Sequence, residues 1–381
     1  MGVPWDIFCK VVDNYGDIGV AWRLSRQLAA EHGLAPRLWV DDVGALARLR
    51  PDADSARDAQ TIEGVEVRCW SEPFPRVVPG EIVIETFQCS APDSFVEAMA
   101  AREPKPAWIN LDYLSAEDWV AECHARPSPH PRLPLTRYIF FPGFDAGAGG
   151  LLREKGLTDA RRGFVDDPNA LAAFWTSLGL APRQRAELRA SLFCYAAAPV
   201  RDLLAAMAEG SEATTCIVPQ GQAEAGVADF FGAALAAGET RRRGNLAVHV
   251  VPFLSQDRYD RLLWACDVNF VRGEDSLVRA HWAEKPFVWN AYPQEASAHW
   301  IKLNAFLDRF CEGLDSATAQ AARGLSRGWN GVVRPAALVD AWRQFVACRI
   351  AIEAHSARWA ARCAAAGDLA ANLVSFCKRL I

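Results

Sequence analysis

Residues 6–23 read DIFCKVVDNYGDIGVAWR, and this stretch decides the fold class. The apolar, β-branched run at residues 7–12 predicts a strand, and the segment from residue 18 to about residue 31 predicts a helix. A short turn that contains glycine separates the two. The stretch therefore predicts the first strand, turn and helix of an α/β unit of the nucleotide-binding type.

The turn in this stretch has the wrong charge for a phosphate. It reads DNYGDIG instead of GxGxxG and carries two acids, Asp13 and Asp17. Because fixed carboxylates repel an anion at a helix N-terminus, we expect the turn to face a neutral or cationic group. A carboxylate there can act as a general base or hold a cation. The alternative for Asp17 is a role as helix cap.

Composition limits the classes of function. The chain has 381 residues, which suits two domains, and its net charge of −5 gives no electrostatic reason to expect binding to nucleic acid or an anionic membrane. Charges interrupt every apolar stretch before the about 20 residues that a membrane span needs, and we expect no signal peptide. Eleven cysteines are scattered without a CxxC pair, so we expect free thiols, no zinc site and a cytoplasmic protein.

The rest of the chain repeats the alternation of strands and helices. The predicted strands of the first half are 7–12, 37–41, 65–70, 82–86, 107–111 and 138–141, and those of the second half are 191–195, 214–218, 246–251, 268–272 and 286–289. Between them lie predicted helices, which implies mostly parallel sheets covered on both faces. Residues 126–134 and the arginine run at 241–243 are predicted to be an exposed loop and a solvated turn, and residues 141–169 a junction.

This pattern predicts two Rossmann-like domains that face a central cleft, followed by a helical C-terminal tail. We place the first domain at residues 1–160 and the second at residues 161–363. The last helix, at about 364–381, is expected to pack back on the first domain.

A second motif, NFVRGEDSL, follows the same plan in the second half. Its predicted strand ends at Arg272, Gly273 lets the backbone turn, and a helix begins near Ser276. Backbone N–H groups and a hydroxyl at a helix N-terminus suit a diphosphate, and the arginine adds positive charge. Glu274 and Asp275 suit sugar hydroxyls. The alternative is that these acids only complement the helix dipole.

Three further residues are candidates for binding a nucleobase or lining the cleft. Tyr195 ends the predicted strand SLFCY, and Phe253 and Gln256 lie in VPFLSQDRYD. Aromatic rings and an amide can stack on a base and read its edge. Gln294 follows another predicted strand and is a fourth candidate. The alternative for the aromatic rings is the core.

Five segments together resemble a known family. They are VVDNYGDIGVAWRLSRQLA, WINLDYLSAEDW, FFPGF…GGLLRE, SLFCY and FVRGEDSLVRAHWAEKPFVWNAYPQE. Lying between residue 5 and about residue 304, they are similar to the elongation factor P arginine rhamnosyltransferases, the EarP family. The chain departs from the family pattern at residues 145–149, within GFDAGAGGLL.

The resemblance implies a two-domain glycosyltransferase of the GT-B type. Such an enzyme transfers rhamnose from dTDP-β-L-rhamnose to one arginine of elongation factor P, which activates the factor for translation of proline stretches. The anomeric carbon is inverted, and no metal or cofactor takes part, since the nucleotide sugar is a substrate. The N-terminal domain docks the protein acceptor, and the C-terminal domain holds the donor.

The resemblance also assigns residues. The essential acids of the family match Asp13, Asp17 and Glu274, and we expect Asp17 to be the general base that takes a proton from the arginine. By motif position, the donor-binding residues of the family match Tyr195, Phe253, Gln256, Arg272, Asp275 and Ser276. We also expect the donor to be bound by Asn14, Tyr15, Gly16, Gly273 and Gln294.

Two other functions fit the same motifs. One is a nucleotide-sugar transferase or epimerase that acts on a small molecule or lipid. The other is a non-catalytic module that binds a nucleotide sugar. An NAD-dependent dehydrogenase is disfavoured, because the first turn lacks the glycine fingerprint.

Overall fold

The computed structural model describes residues 4–13, 15–184, 186–293, 298–331 and 335–381. The chain forms two compact units. Unit 1 comprises Met1–Lys155 with Ala361–Ile381, and unit 2 comprises Gly156–Ala360. These boundaries lie a few residues before positions 160 and 363, where the sequence predicted them. No helix among the described residues is both long and apolar enough to cross a membrane.

Unit 1 is built on an eight-stranded sheet. Its strands are β1 Trp5–Cys9, β2 Pro36–Val40, β3 Ala59–Ile62, β4 Val65–Cys69, β5 Ile82–Thr86, β6 Ala107–Leu111, β7 Arg126–Pro129 and β8 Thr136–Phe140. They lie in the order β3-β4-β2-β1-β5-β6-β8-β7, and all neighbours are parallel except the two edge pairs. Every residue of the central strands β1, β2, β5 and β6 is buried, as expected for a sheet covered on both faces.

The described residues of unit 1 also form five complete helices. They are α1 Gly16–His32, α2 Val43–Leu49, α3 Asp93–Ala101, α4 Trp119–Cys123 and α15 Leu369–Cys377. The last of them packs against α1. One face of the sheet carries an aromatic core in which the Phe8 ring contacts those of Trp39 and Phe95. This packing fixes β1 and hence the start of the turn that follows it.

Unit 2 is built on a six-stranded sheet. Its strands are β9 Leu188–Leu192, β10 Thr214–Pro219, β11 Thr240–Arg243, β12 Leu246–Val251, β13 Val268–Arg272 and β14 Phe287–Asn290. The order is β11-β12-β10-β9-β13-β14, and only the edge pair β11 and β12 is antiparallel.

Helices pack on both faces of this sheet. The helices described after β8 and before α15 are α5 Leu157–Val165, α6 Pro168–Ser177, α7 Val200–Glu209, α8 Glu224–Phe231, α9 Gln256–Ala265, α10 Asp275–Ala283, α11 Ala298–Phe310, α12 Ser316–Trp329, α13 Pro335–Ala347 and α14 Arg349–Ala365, whose last residues belong to unit 1. Leu188, Ala190 and Leu192 point into one core, with Trp329 and Trp342, while the opposite face packs on Phe174 and Trp175.

Two predictions about the ends of central strands are wrong. The first strand ends at Cys9 rather than at residue 12, because Val12 is 63% exposed and its β-branched side chain does not join the core. The strand predicted at 191–195 runs three residues earlier, as Leu188–Leu192. Its charged residue, Arg189, obscured the start, although the guanidinium is buried over the ring of Trp175.

Three segments predicted to lack regular structure have it. Residues 126–134 include the edge strand Arg126–Pro129, and the arginine run belongs to the edge strand Thr240–Arg243. Proline and charge are tolerated at edges, where one side of the strand needs no partner. The junction at 141–169 includes Leu157–Val165 and the start of α6.

Candidate active site

In each sheet there is one point at which the chain stops adding strands on one side and continues on the other side. The DNYGDIG turn follows a strand at this point in unit 1, and the RGEDS turn follows a strand at this point in unit 2. In unit 1 the chain runs outward from β1 through β2, then returns to the other side of β1 at β5. In unit 2 it runs outward from β9 through β10, then returns at β13. Such switch points, at the carboxyl ends of the strands, are where open α/β sheets bind ligands.

The unit 1 turn brings its acids close together. Asp17 lies in the first turn of α1 and is only 3% exposed. Its Oδ2 atom accepts 2.9 Å hydrogen bonds from the backbone N–H groups of Val12 and Asp13. These donors precede the helix, and the capping position belongs to Tyr15, whose side chain makes no capping bond. Asp17 therefore holds the loop onto the helix rather than capping it.

The surroundings of Asp17 favour its protonated form. Burial raises the pKa of its carboxyl group above the ordinary value, and the two backbone hydrogen bonds oppose this rise. The negative charges of Asp13 and Asp41 raise the pKa further. A carboxylate with a raised pKa binds a proton more readily than an ordinary aspartate, which suits a general base.

Asp13, the other acid of the turn, packs against Gly16. A Cβ atom at residue 16 would lie 2.6 Å from Oδ2 of Asp13, so only glycine fits beside the carboxylate as it stands. The backbone N–H of Gly16 also donates to the Asp13 carbonyl at 2.7 Å. The phenol of Tyr15 accepts a 3.0 Å hydrogen bond from Arg48. Asn14, which is predicted to bind the nucleotide sugar, lies outside the described residues.

In unit 2, the guanidinium of Arg272 lies over two aromatic rings. Its guanidinium lies 4.6 Å from the ring centroid of Phe193 and 4.7 Å from that of Tyr195. The side chain is largely buried, with the residue 5% exposed. Tyr195 follows β9 by three residues, so its predicted position at the strand end is wrong, but the ring still lies beside the end of β13.

The β13–α10 turn comprises residues 272–276, and the side chain of Ser276 closes it by hydrogen bonds to the backbone of Arg272. Gly273 has φ +62°, a left-handed conformation that glycine adopts without strain. The Ser276 hydroxyl accepts a 3.0 Å hydrogen bond from the N–H of Arg272 and donates to the carbonyl of the same residue. Glu274 occupies the position before α10 and is half-buried. The helix N-terminus and the arginine together suit an anion.

A second pair of predicted residues meets at the starts of α9 and α10. The buried Gln256 donates from Nε2 to Oδ2 of Asp275 at 3.0 Å. Tyr259 follows one turn later, and its phenol pKa is raised by burial and then by the charge of Asp275. Phe253 is half-buried in the loop before α9. Gln294 lies outside the described residues.

Sequence reasoning missed several neighbours of these site residues. In unit 1 they are Asp41, whose Oδ1 accepts from the N–H of Val11 at 2.8 Å, and Arg48. In unit 2 they include Phe193, which is two residues from Tyr195. That spacing was a usable signal, since alternate residues of an extended segment share a face.

Metal-binding geometry is not evident at either switch point. Within the part of the chain that the structure describes, no three His, Cys, Asp or Glu side chains group so that they could hold a metal ion. The reaction without metal therefore stays a prediction.

Comparison with known proteins agrees with the fold. Residues 5–378 match the family model described as "Elongation-Factor P (EF-P) rhamnosyltransferase EarP". A protein-arginine rhamnosyltransferase of Pseudomonas putida is 48% identical over 379 residues, 99% of each chain. Another with the same name, from Pseudomonas aeruginosa, is 46% identical and covers 98% of each chain.

Solved structures are similar over the full length. One that concerns EarP-mediated arginine glycosylation of translation elongation factor EF-P is 37% identical, with a TM-score of 0.71 over 100% of both chains. The calicheamicin glycosyltransferase CalG4 is 12% identical, with a TM-score of 0.51 over 100% of this chain and 99% of that chain. The second likeness shows the fold alone. The predicted α/β fold of the GT-B type is confirmed.

Proposed function

Because this chain belongs to the EarP family of elongation factor P rhamnosyltransferases, we propose that it transfers rhamnose from dTDP-β-L-rhamnose to an arginine side chain of elongation factor P. The enzyme class, protein-arginine rhamnosyltransferase, is that of its curated relatives. The observation that supports the substrates best is a difference in charge between the two turns. The unit 1 turn carries acids and no basic residue, whereas the unit 2 turn carries a buried arginine beside its acids Glu274 and Asp275.

The acidic turn of unit 1 suits a cationic acceptor. A guanidinium stays protonated at neutral pH because its pKa lies above about 12. Carboxylates bind it through charge-assisted, often paired, hydrogen bonds. We assign Asp13 to hold the guanidinium of the acceptor and Asp17 to take its proton. We assign Glu274, at the N-terminus of α10, as the third catalytic acid, which orients the acceptor.

The reaction is a single displacement. One guanidinium nitrogen attacks the anomeric carbon of the rhamnose, and Asp17 removes a proton from that nitrogen as the C–N bond forms. The bond between the anomeric carbon and the diphosphate oxygen breaks at the same time, and its electron pair leaves with dTDP. Attack from the face opposite the leaving group inverts the anomeric carbon. The glycosylated guanidinium remains a cation.

The unit 2 turn suits the anionic donor. The departing diphosphate gains negative charge, which Arg272 and the N–H groups at the start of α10 can stabilise. The tyrosine ring beside the arginine offers a stacking surface for the base or sugar. We propose that this stabilisation replaces a metal ion and that no cofactor takes part.

The state of the cysteines supports a reducing compartment, which we propose to be the cytoplasm. All eleven cysteines are free, and eight of them are buried. In an oxidising compartment a chain with this many thiols would more commonly form disulfides.

Intact-mass measurement tests the proposed function. We expect elongation factor P, incubated with this enzyme and dTDP-β-L-rhamnose, to gain one deoxyhexose on one arginine. A lysine substitution at the modified arginine should abolish the gain. If elongation factor P gains no mass while the enzyme consumes donor on a small molecule or lipid, the alternative acceptor is correct. If the donor binds and is never consumed, the chain is a binding module.

A further inference from the structure

The last two residues of β14 each hold one of the segments assigned to the donor. The indole N–H of Trp289 donates to the carbonyl of Gly273 at 2.9 Å, so it holds the β13–α10 turn. Oδ1 of the next residue, Asn290, accepts from the backbone N–H of Tyr195 at 2.9 Å. Both residues are buried. Neighbouring positions on one strand thus hold two segments that are far apart in sequence.

A second asparagine joins these two residues. Asn330 follows α12 directly, and its Nδ2 atom donates to the carbonyls of Trp289 and Ser326, both at 2.8 Å. Its Oδ1 atom accepts from the N–H of Ala291 at 2.9 Å and from Nδ2 of Asn290 at 3.2 Å. An amide side chain has two N–H donors and two acceptor lone pairs. All four are used.

The bonding pattern permits only one orientation of each amide. The Tyr195 N–H requires an oxygen, which turns the amino group of Asn290 toward Asn330. Two backbone carbonyls then require the amino group of Asn330, so its oxygen faces Asn290 and the N–H of Ala291. A change in one of these two asparagines therefore affects the other, because reversing one amide leaves polar groups of the other amide unpaired.

We propose that Asn290 and Asn330 are positioning residues that hold Tyr195 and the β13–α10 turn in the arrangement that binds the nucleotide sugar. The inference rests on the proposed function, because that function assigns Tyr195, Gly273 and Arg272 to the donor. Neither asparagine needs to touch the donor. Asn330 acts through Asn290 on the backbone of Tyr195 and through the backbone of Trp289 on Gly273.

Calorimetric binding of dTDP tests the proposal against a matched buried asparagine. Asn290→Ala and Asn330→Ala should weaken dTDP binding about tenfold, as expected when one buried hydrogen bond that places a ligand contact is lost. The control is Asn269→Ala in β13. Asn269 is fully buried and bonds to Ser191 and the Leu263 carbonyl, away from the turn. If the control weakens binding as much at an equal loss of melting temperature, the positioning role is wrong.

The substitution Asn290→Asp tests the positioning role through the pH dependence of dTDP affinity, which a general loss of stability would not change. A carboxyl oxygen can still accept from Tyr195, but an ionised carboxylate faces the oxygen of Asn330 without a proton to donate. Burial raises the pKa of such a carboxyl. Protonation restores the donor, so the affinity deficit relative to the parent should shrink as the pH falls from about 8 to about 6. A deficit that is the same at every pH would overturn the proposal.

Hydrogen exchange without ligand separates this proposal from the proposed function. In the ligand-free protein, Asn290→Ala should speed exchange of the Tyr195 amide, whereas Asn269→Ala should not. Unchanged exchange in Asn290→Ala would overturn the proposal even if dTDP binds. If the parent does not bind dTDP or dTDP-rhamnose, the proposed function fails, and faster exchange in Asn290→Ala would still support the chain of amides but not its link to the donor.

Discussion

The Oδ2 atom of Asp17 accepts a 2.9 Å hydrogen bond from the backbone N–H of Asp13. The Asp17 carboxylate therefore holds the backbone at Asp13 in place. Burial and mutual repulsion raise the pKa of Asp17, while this bond keeps its charged form accessible.

The raised pKa predicts the acid side of the pH profile. Transfer needs the Asp17 carboxylate, which is lost as the pH falls through the raised pKa. The kcat/KM for elongation factor P should therefore fall at a pH above the ordinary aspartate value of about 3.9. Asp41→Asn removes one charge that raises this pKa, so its inflection should move to lower pH with the plateau unchanged. An identical inflection in the parent and in Asp41→Asn would contradict the assignment.

Gly16→Ala tests how closely the turn is packed. The new Cβ would lie 2.6 Å from Oδ2 of Asp13 and would displace that carboxylate. We expect turnover with elongation factor P to fall about tenfold to a hundredfold, because misplacing a catalytic group by about 1 Å has effects of that size.

The matched control for this variant is Gly163→Ala, in the helix Leu157–Val165. A Cβ at Gly163 meets nothing within 4 Å, so this change should leave turnover alone. It should raise stability by about 0.5–1 kcal/mol through helix propensity. Normal turnover in Gly16→Ala would show that Asp13 does not need its observed position.

Arg272→Lys tests the stacked guanidinium. Lysine keeps the positive charge but loses the planar group that lies over Phe193 and Tyr195. We expect the affinity for dTDP, measured by calorimetry, to fall about tenfold, equivalent to about 1.4 kcal/mol. Arg189→Lys is the control, because Arg189 stacks on Trp175 near the start of β9. Equal losses of affinity in both variants would point to general destabilisation.

A buried ion pair between α9 and α10 should dominate local stability. Asp260 accepts from Arg279 at 2.7 and 3.1 Å, and both residues are buried. Asp260→Ala should lower the free energy of unfolding by about 3–5 kcal/mol, because it leaves a guanidinium buried without its carboxylate. Adding Arg279→Leu should recover most of this loss. Urea unfolding gives the values.

An exposed pair provides the comparison. Asp340 and Arg343 are 2.9 Å apart, and each side chain is 66% exposed. Asp340→Ala should therefore cost less than about 1 kcal/mol, because solvent screens the pair. Equal costs for the buried and exposed pairs would contradict the role of burial.

The sequence predicted the parallel strands better than the antiparallel edge strands. Val268–Arg272 and Ile82–Thr86 were predicted to the residue, since apolar runs between turn signals are typical of buried parallel strands. The edge strands Arg126–Pro129 and Thr240–Arg243 were missed. Their prolines and arginines are compatible with pairing on one side only, and no period in the sequence shows that pairing.

The candidate site was predicted in its motifs but not in its contacts. The acids of the first turn could be read directly, whereas the hydrogen bonds from Val12 and Asp13 to Asp17 depend on how the loop folds back. The amide chain of Asn290 and Asn330 was invisible for another reason. It joins residues 40 apart along the chain, and only the packing of α12 against β14 brings them together.

Asp17→Asn tests the central claim most directly. The amide oxygen of the new asparagine can still accept hydrogen bonds from the backbone N–H groups of Val12 and Asp13. Because the pKa of Asp17 is raised in the folded protein, its ionised carboxylate destabilises the fold at neutral pH. Removing this charge should therefore not lower the melting temperature. We predict dTDP-rhamnose binding equal to the parent and a loss of transfer of about a hundredfold or more, by the intact mass of elongation factor P. Asp41→Asn, the matched neighbour, should transfer normally. Near-normal transfer by Asp17→Asn would contradict the assignment of Asp17 as the base.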